Sequence, residues 1–245
     1  MNTIFGIHSV IEAISSGKEI EKILIKKGME GINIDKIVQL CQKKSIPIQY
    51  VPIEKLDRTT SSRHQGVIAC ISQITYTPLE EAIESVLATH PHPIVLLLDG
   101  VTDVRNFGAI SRTAECAGVS LIIIPAKGGA SINAESIKSS SGALLRIPVS
   151  RVPNLRIALF YLKENGFSII GTTEKSGDSL FDSKMQNATA VVLGSEDKGI
   201  STSVLALCDQ KVSIPMQGAI ASLNVSAAAA IVLFEVVRQR IFTII

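Results

Sequence analysis

The feature that most constrains this chain is the run Ile94-Val95-Leu96-Leu97-Leu98, five apolar residues that stop abruptly at Asp99-Gly100. A strand without a polar face must be covered on both sides, and such strands belong to parallel sheets flanked by helices. The pattern recurs, and strands are expected at 120–124, 168–171, 190–193 and 211–214. Helical periodicity falls between and after them. Over 106–117 the apolar residues Phe107, Ile110, Ala114 and Ala117 lie three and four apart, and Gly118 is a suitable residue to end the helix. Further helices are expected at 155–165, before Gly166, and at 223–240, the longest. The alternation predicts an α/β fold around a parallel sheet.

The first 75 residues carry an alternation of their own, helical at 9–15, 34–43 and 53–59 and extended at 22–25, 47–51 and 66–71. They read as a small, separate α/β unit. A polar stretch at 72–77, a helical pattern at 79–87 and the breaker His90-Pro91-His92-Pro93 place a boundary within 73–93. The expected organisation is a domain at 1–75, a linker at 76–93 and a domain at 94–245.

Composition excludes several classes. Apolar residues make up 46% and charged residues 19%, which supports a core and argues against disorder. Trp is absent and aromatics are 4%, so the core is aliphatic and little surface is left for stacking bases. The net charge is only +2, but residues 1–75 hold ten basic against seven acidic side chains, an excess placed where a polyanion would touch. Cys41, Cys70, Cys116 and Cys208 form no Cys-x-x-Cys pair and no metal-ligand spacing, so no metal and no disulfide framework is expected. Reduced thiols point to the cytoplasm. Residues 1–8 lack a basic, then apolar, leader pattern, so no signal peptide is expected. The apolar stretch 225–234 is half the roughly 20 residues a spanning helix needs and reads as a buried helix, with no membrane role.

Three motifs carry chemistry. In the first, the strand end Leu98-Asp99-Gly100 leads through a loop to Asn106, an expected helix N-cap, and then to Gly108, Arg112 and Thr113. Arg112 lies about one and two-thirds turns past Asn106, on a different face, and can hold a phosphate bidentately. The same residues also fit a capped helix with a solvent-facing Arg. In the second, Val191-Val192-Leu193 runs into Gly194-Ser195-Glu196-Asp197-Lys198-Gly199. Gly194 would let a ligand approach the backbone and Glu196 sets a carboxylate at the strand mouth, although a plain polar turn fits too. Neither Gly-x-Gly-x-x-Gly nor a Walker A sequence occurs. The third runs Ile214-Pro215-Met216-Gln217-Gly218-Ala219-Ile220-Ala221-Ser222-Leu223-Asn224-Val225-Ser226, in which a strand end and a Gly-containing loop meet hydroxyl and amide side chains at the start of an Ala-rich helix.

In this order and spacing the motifs resemble those of the SpoU (TrmH-like) family of RNA 2′-O-ribose methyltransferases. Asn106, Gly108, Arg112 and Thr113 match the first motif, with Val104 where many members have Pro; Gly194, Glu196 and Gly199 match the second. Gly6-Ile7-His8-Ser9-Val10 and His64-Gln65-Gly66 resemble the small substrate-binding domain, similar to ribosomal protein L30e, of the branch that methylates 23S rRNA guanosine. The resemblance implies a SPOUT-type parallel sheet with a deep C-terminal trefoil knot, preceded by that L30e-like domain. It implies S-adenosylmethionine-dependent methylation of a ribose 2′-hydroxyl, chiefly of a guanosine in 23S rRNA. A tRNA target and a non-catalytic rRNA-binding assembly factor are the alternatives. It also implies a homodimer, burying the last helix, whose two subunits complete each site. By the same resemblance Asn106, Arg112, Glu196, Ser222 and Asn224 are catalytic, with Arg112 taking the hydroxyl proton or clamping a phosphate. Thr172, Gly194, Glu196, Gly199, Ile214, Met216, Ser222 and Leu223 would hold the methyl donor.

Overall fold

The computed structural model describes residues 3–219 and 222–242. The chain divides into two compact units, residues 1–75 with 132–134 and residues 76–131 with 135–245. The first contains β1 (Thr3–Phe5), α1 (Ile7–Ser15), β2 (Ile20–Lys26), α2 (Ile32–Lys43), β3 (Ile48–Val51), α3 (Ile53–Thr59) and β4 (Val67–Ile71). Its sheet runs β1-β4-β2-β3, with β2 and β3 parallel and β4 antiparallel to both neighbours. Alternate residues face opposite ways along a strand. Ile23, Ile25, Val67 and Ala69 therefore pack with Val10, Ile14 and Ile37 of α1 and α2, while Leu24, Ile68 and Cys70 meet Leu56 of α3.

The second unit contains α4 (Leu79–Thr89), β5 (Ile94–Asp99), α5 (Val104–Cys116), β6 (Leu121–Pro125), α6 (Ala134–Ser139), β7 (Val149–Val152), α7 (Leu155–Glu164), β8 (Ser168–Thr172), β9 (Thr189–Gly194), α8 (Thr202–Leu205), β10 (Gln210–Val212) and α9 (Val225–Phe242). Among the described residues its sheet is six-stranded, ordered β10-β8-β9-β5-β6-β7, and every pairing is parallel. The run that opened the sequence is β5, at the centre. Val95 and Leu97 pack with Ile83, Val86, Leu159 and Leu162 of α4 and α7. Leu96 and Leu98 are equally buried. Each such side chain contributes about 1.5–3 kcal/mol of transfer free energy. α5 packs against α9, with Phe107, Ile110 and Ala114 buried on one and Ala229, Val232, Leu233 and Val236 on the other. No described helix is long and apolar enough to cross a membrane.

Two local expectations are corrected. α5 starts at Val104, and its cap is Asp103, whose carboxylate accepts the Arg105 and Asn106 N–H groups at 2.8 and 2.9 Å. Asn106 is thus not the N-cap but the third helical residue, and its side chain is released for other contacts. Strand β7 escaped the sequence reading because Ser150 and Arg151 interrupt its apolar pattern. An edge strand tolerates this; Ser150 Oγ donates to the Thr77 carbonyl at 2.8 Å.

The last half of α9 is fastened by polar contacts. The buried Gln239 amide accepts from the Met185 N–H at 2.9 Å and donates to the Ser183 carbonyl at 2.9 Å and to Glu235 at 2.8 Å. Hydrogen bonds from Arg238 hold the Glu235 carboxyl below its ordinary range. Arg240 donates to the carbonyls of His92, Met185 and Asn187. Gln239→Leu strands the Met185 N–H and Ser183 carbonyl. It should cost about 1–3 kcal/mol of stability, read as a lower urea midpoint at unchanged slope.

Candidate functional site

All strands of the second sheet point their carboxyl ends to one edge, where open α/β sheets bind ligands. Three segments far apart in sequence converge there. Asn224 precedes α9 and its Oδ1 accepts the Ser226 N–H at 2.9 Å as well as the Ser226 hydroxyl. That fixes which way the amide points. Its Nδ2 is turned to Asn106 Oδ1, at 3.1 Å, and to Glu196 Oε1. The same Glu196 oxygen accepts the Val225 N–H at 3.3 Å. One helix start thereby joins the first, second and third motifs.

The second motif is a closed turn. Ser195 and Gly199 exchange backbone bonds, N–H to carbonyl, at 3.2 and 2.9 Å, and Ser195 Oγ accepts the Lys198 N–H at 3.2 Å. Asp99, at the end of β5, accepts the Ser201 N–H at 2.8 Å and ties the turn down. The reason for Gly194 differs from the one expected. A Cβ there would lie 2.0 Å from the Gly199 carbonyl carbon, so the chain's own backbone, not a ligand, demands the glycine. Gly108 of the first motif is likewise a packing residue, since its Cβ would sit 2.7 Å from Ser139 Cβ.

Two cavities meet at this lattice. The first, about 290 Å³, is lined by Thr172, Gly194, Glu196, Gly199, Ile214, Met216, Ser222 and Leu223, all eight residues singled out for the donor, together with Thr173–Lys175 and Val225. Ile220 and Ala221 of the third motif lie outside the described residues. In its wall the buried Thr172 Oγ1 has no hydrogen-bond partner among the described residues, a polar atom for a ligand to satisfy. The second cavity, about 430 Å³, is lined by Gly100–Asp103, Asn106 and Gly128 and shares Ser195–Lys198 and Val225 with the first. Sequence reasoning missed this second cavity. Its walls are the loop of the first motif, the turn of the second and the start of α9, joined by Gly128 after β6, which belongs to no motif; the motifs were legible one by one, but not the cavity they enclose.

Arg112 stands apart. It is exposed, lines neither cavity and makes no hydrogen bond or ion pair among the described residues. Its neighbour Arg105 pairs with Glu135 at 3.0 Å. In the first unit the two stretches that flank its sheet come together. Gln65 Oε1 accepts the Ile7 N–H at the start of α1, at 3.2 Å. His64 Nδ1 accepts the Gly66 N–H at 3.0 Å, which puts the ring proton on Nε2, 2.9 Å from Asp57.

Fold and site define an α/β protein with two adjoining cavities at the carboxyl edge of a parallel sheet. Comparison with known proteins narrows this. Residues 93–234 match the model of the SpoU rRNA methylase family, and residues 3–77 that of the RNA 2′-O ribose methyltransferase substrate-binding domain. The chain is 37% and 38% identical, over 237 residues, to proteins of Staphylococcus epidermidis and Staphylococcus saprophyticus, both provisionally named TrmH family tRNA/rRNA methyltransferase; the match covers 97% of this chain and 95% of each relative. The crystal structure of the SpoU methyltransferase AviRb from Streptomyces viridochromogenes is similar at a TM-score of 0.64 and 25% identity, covering 98% of this chain and 90% of AviRb. Its complex with AdoMet matches at 0.62 and 24%, with the same coverage. The chain belongs to the SpoU rRNA methylase family and is an RNA methyltransferase of SpoU/TrmH type.

Asn224→Asp tests the lattice. The Oδ1 that caps α9 is kept, while the Nδ2 donor becomes an oxygen facing the Glu196 carboxylate and Asn106 Oδ1. The repulsion between the two carboxylates should lower stability even with the cap kept, and, by disordering the wall that Glu196 forms, lower affinity for S-adenosylhomocysteine, by calorimetry, about tenfold or more.

Proposed function

We propose that this protein transfers a methyl group from S-adenosylmethionine to the 2′-hydroxyl of a ribose in RNA, the target being a guanosine of 23S rRNA. The observation that carries the reading is the pair of cavities sharing Glu196, one sized for a small donor and the other opening beside Asn106. The donor set fits. Thr172 Oγ1 offers an unused hydrogen bond, Ile214, Met216 and Leu223 offer apolar contact, and Ser222 adds a hydroxyl. S-adenosylmethionine held there would supply a methyl already made electrophilic by its sulfonium, so no metal enters. What remains for the protein is in-line placement and removal of a proton.

The acceptor side requires a cation for RNA phosphate, and within one chain Arg112 lies outside both cavities. This supports a homodimer in which a second copy brings Arg112 to the site. Phe234 and Ile241, exposed and seven residues apart on one face of α9, supply an apolar surface for that contact. The family resemblance further assigns a deep trefoil knot to the C-terminal part, an L30e-like fold to the first unit, and a cytoplasmic location. The positive balance of residues 1–75 suits a domain that reads RNA. The staphylococcal names leave tRNA open as the target.

Mapping 2′-O-methyl positions in total RNA from cells with and without the gene tests the substrate. A single lost guanosine methyl in 23S rRNA is expected. A lost tRNA methyl would move the target while keeping the chemistry, and an unchanged map would overturn the reading. Arg112→Ala should abolish turnover and leave donor affinity within about threefold. Arg112→Lys should be nearly as damaging, because an ammonium cannot reproduce the bidentate fork. Single-turnover methyl transfer at saturating donor reads both.

A further inference from the structure

We propose that Glu196 is the group that accepts the ribose proton, through its Oε2 atom, and that Asn106 Nδ2 holds the oxygen that loses it. The inference rests on the methyl-transfer reading above and names the atoms that carry it out.

Glu196 uses only one of its oxygens to build the lattice. Oε1 accepts from Asn224 Nδ2 and from the Val225 N–H. Oε2 accepts no hydrogen bond among the described residues, and the side chain lines both cavities. The carboxylate is therefore held at one end and open at the other. Asn106 is prepared in the complementary sense. Its Oδ1 is committed to Asn224, so its Nδ2 is the free end, and the residue lines the second cavity. A hydroxyl at the junction would find one donor and one acceptor, the pair of partners that a hydroxyl uses when it both accepts and donates.

Other groups at the junction are otherwise occupied. Asp103 Oδ1 caps α5, and Asp99 Oδ2 holds the Ser201 N–H. Asp197 lines both cavities, but among the described residues no hydrogen bond orients its carboxylate. Arg112 lines neither cavity within one chain.

The balance of the step makes a weak base sufficient. As the bond from the 2′-oxygen to the methyl carbon forms, the carbon–sulfur bond breaks and its electron pair stays on sulfur, giving a neutral thioether. The attacking oxygen gains positive charge, so its proton becomes strongly acidic while the new bond grows. The Glu196 carboxylate then takes that proton on Oε2 and later releases it to water. A pre-formed alkoxide is not needed.

Glu196→Gln separates basicity from architecture. The glutamine Oε1 can still accept from Asn224 and Val225, and its amide nitrogen stands where the free oxygen was. The substrate is total RNA from a strain lacking the gene, which contains the unmodified target whichever RNA holds it, with tritiated donor at saturation. Glu196→Gln should lower the single-turnover rate on the order of a hundredfold to ten-thousandfold, as for loss of a general base. It should bind S-adenosylhomocysteine within about threefold of wild type, with an unchanged melting temperature. Glu196→Ala, which removes the lattice as well, should lose both rate and binding. A Glu196→Gln rate near wild type would overturn the proposal while leaving methyl transfer intact. So would a comparable loss in Asp197→Asn with Glu196→Gln unaffected. An inactive wild-type protein would instead refute the methyl-transfer reading, and this inference with it.

Discussion

The site depends on the orientation of one amide. Asn224 cannot rotate its side chain without giving up the cap of α9, because its oxygen holds the Ser226 N–H and hydroxyl. An uncapped helix end typically costs about 1 kcal/mol, so the largest helix of the second unit enforces the amide's direction. That direction leaves the amide nitrogen facing Asn106 and Glu196, which are 118 and 28 residues away in sequence. The cap of α9 and the orientation of the amide are consequently one arrangement.

The parallel sheet supplies the rest of the placement. Because β5, β8 and β9 run the same way, Asp99, Thr172 and Gly194 end them at one edge. The loops that follow need only short reaches to meet. Asp99 ties the Ser195–Gly199 turn through Ser201, and Gly194 lets that turn fold back against its own strand. The polar residues of the motifs thus divide between making contacts with the chain and leaving atoms free. Among the described residues Thr172 Oγ1 is left without a partner at the first cavity, and one end each of Glu196 and Asn106 is left without a hydrogen bond at the second.

Much of this was legible in the sequence. The apolar run at 94–98 marked the central strand, Gly118 and Gly166 marked helix ends, and the resemblance carried by three motifs named eight residues that line one cavity. What escaped did so for physical reasons. Asn106 looked like a cap because Asn is a favoured cap, yet Asp103, three residues earlier, offers a carboxylate that reaches two N–H groups. Gly194 does line the first cavity, but the neighbour that excludes a Cβ there is the Gly199 backbone, and a sequence cannot say which close approach a glycine serves. Strand β7 was hidden because an edge position relaxes the apolar requirement. The second cavity was hidden because strand order alone brings Gly128, after β6, against the loops of the first and second motifs. The place of Arg112 on a different helical face from Asn106 followed from helical geometry alone.

The central claim is that the lattice around Asn224 stands between a donor cavity and an acceptor cavity. A crystal structure of the full chain with S-adenosylhomocysteine tests it most directly. The account predicts the ligand in the cavity walled by Thr172, Gly194 and Leu223, with Thr172 Oγ1 brought into a hydrogen bond. It also predicts that the Asn106–Asn224–Glu196 contacts persist and that Glu196 Oε2 faces the cavity beside Asn106. A ligand bound in that second cavity, or a complex in which Asn224 has released Glu196, would contradict it.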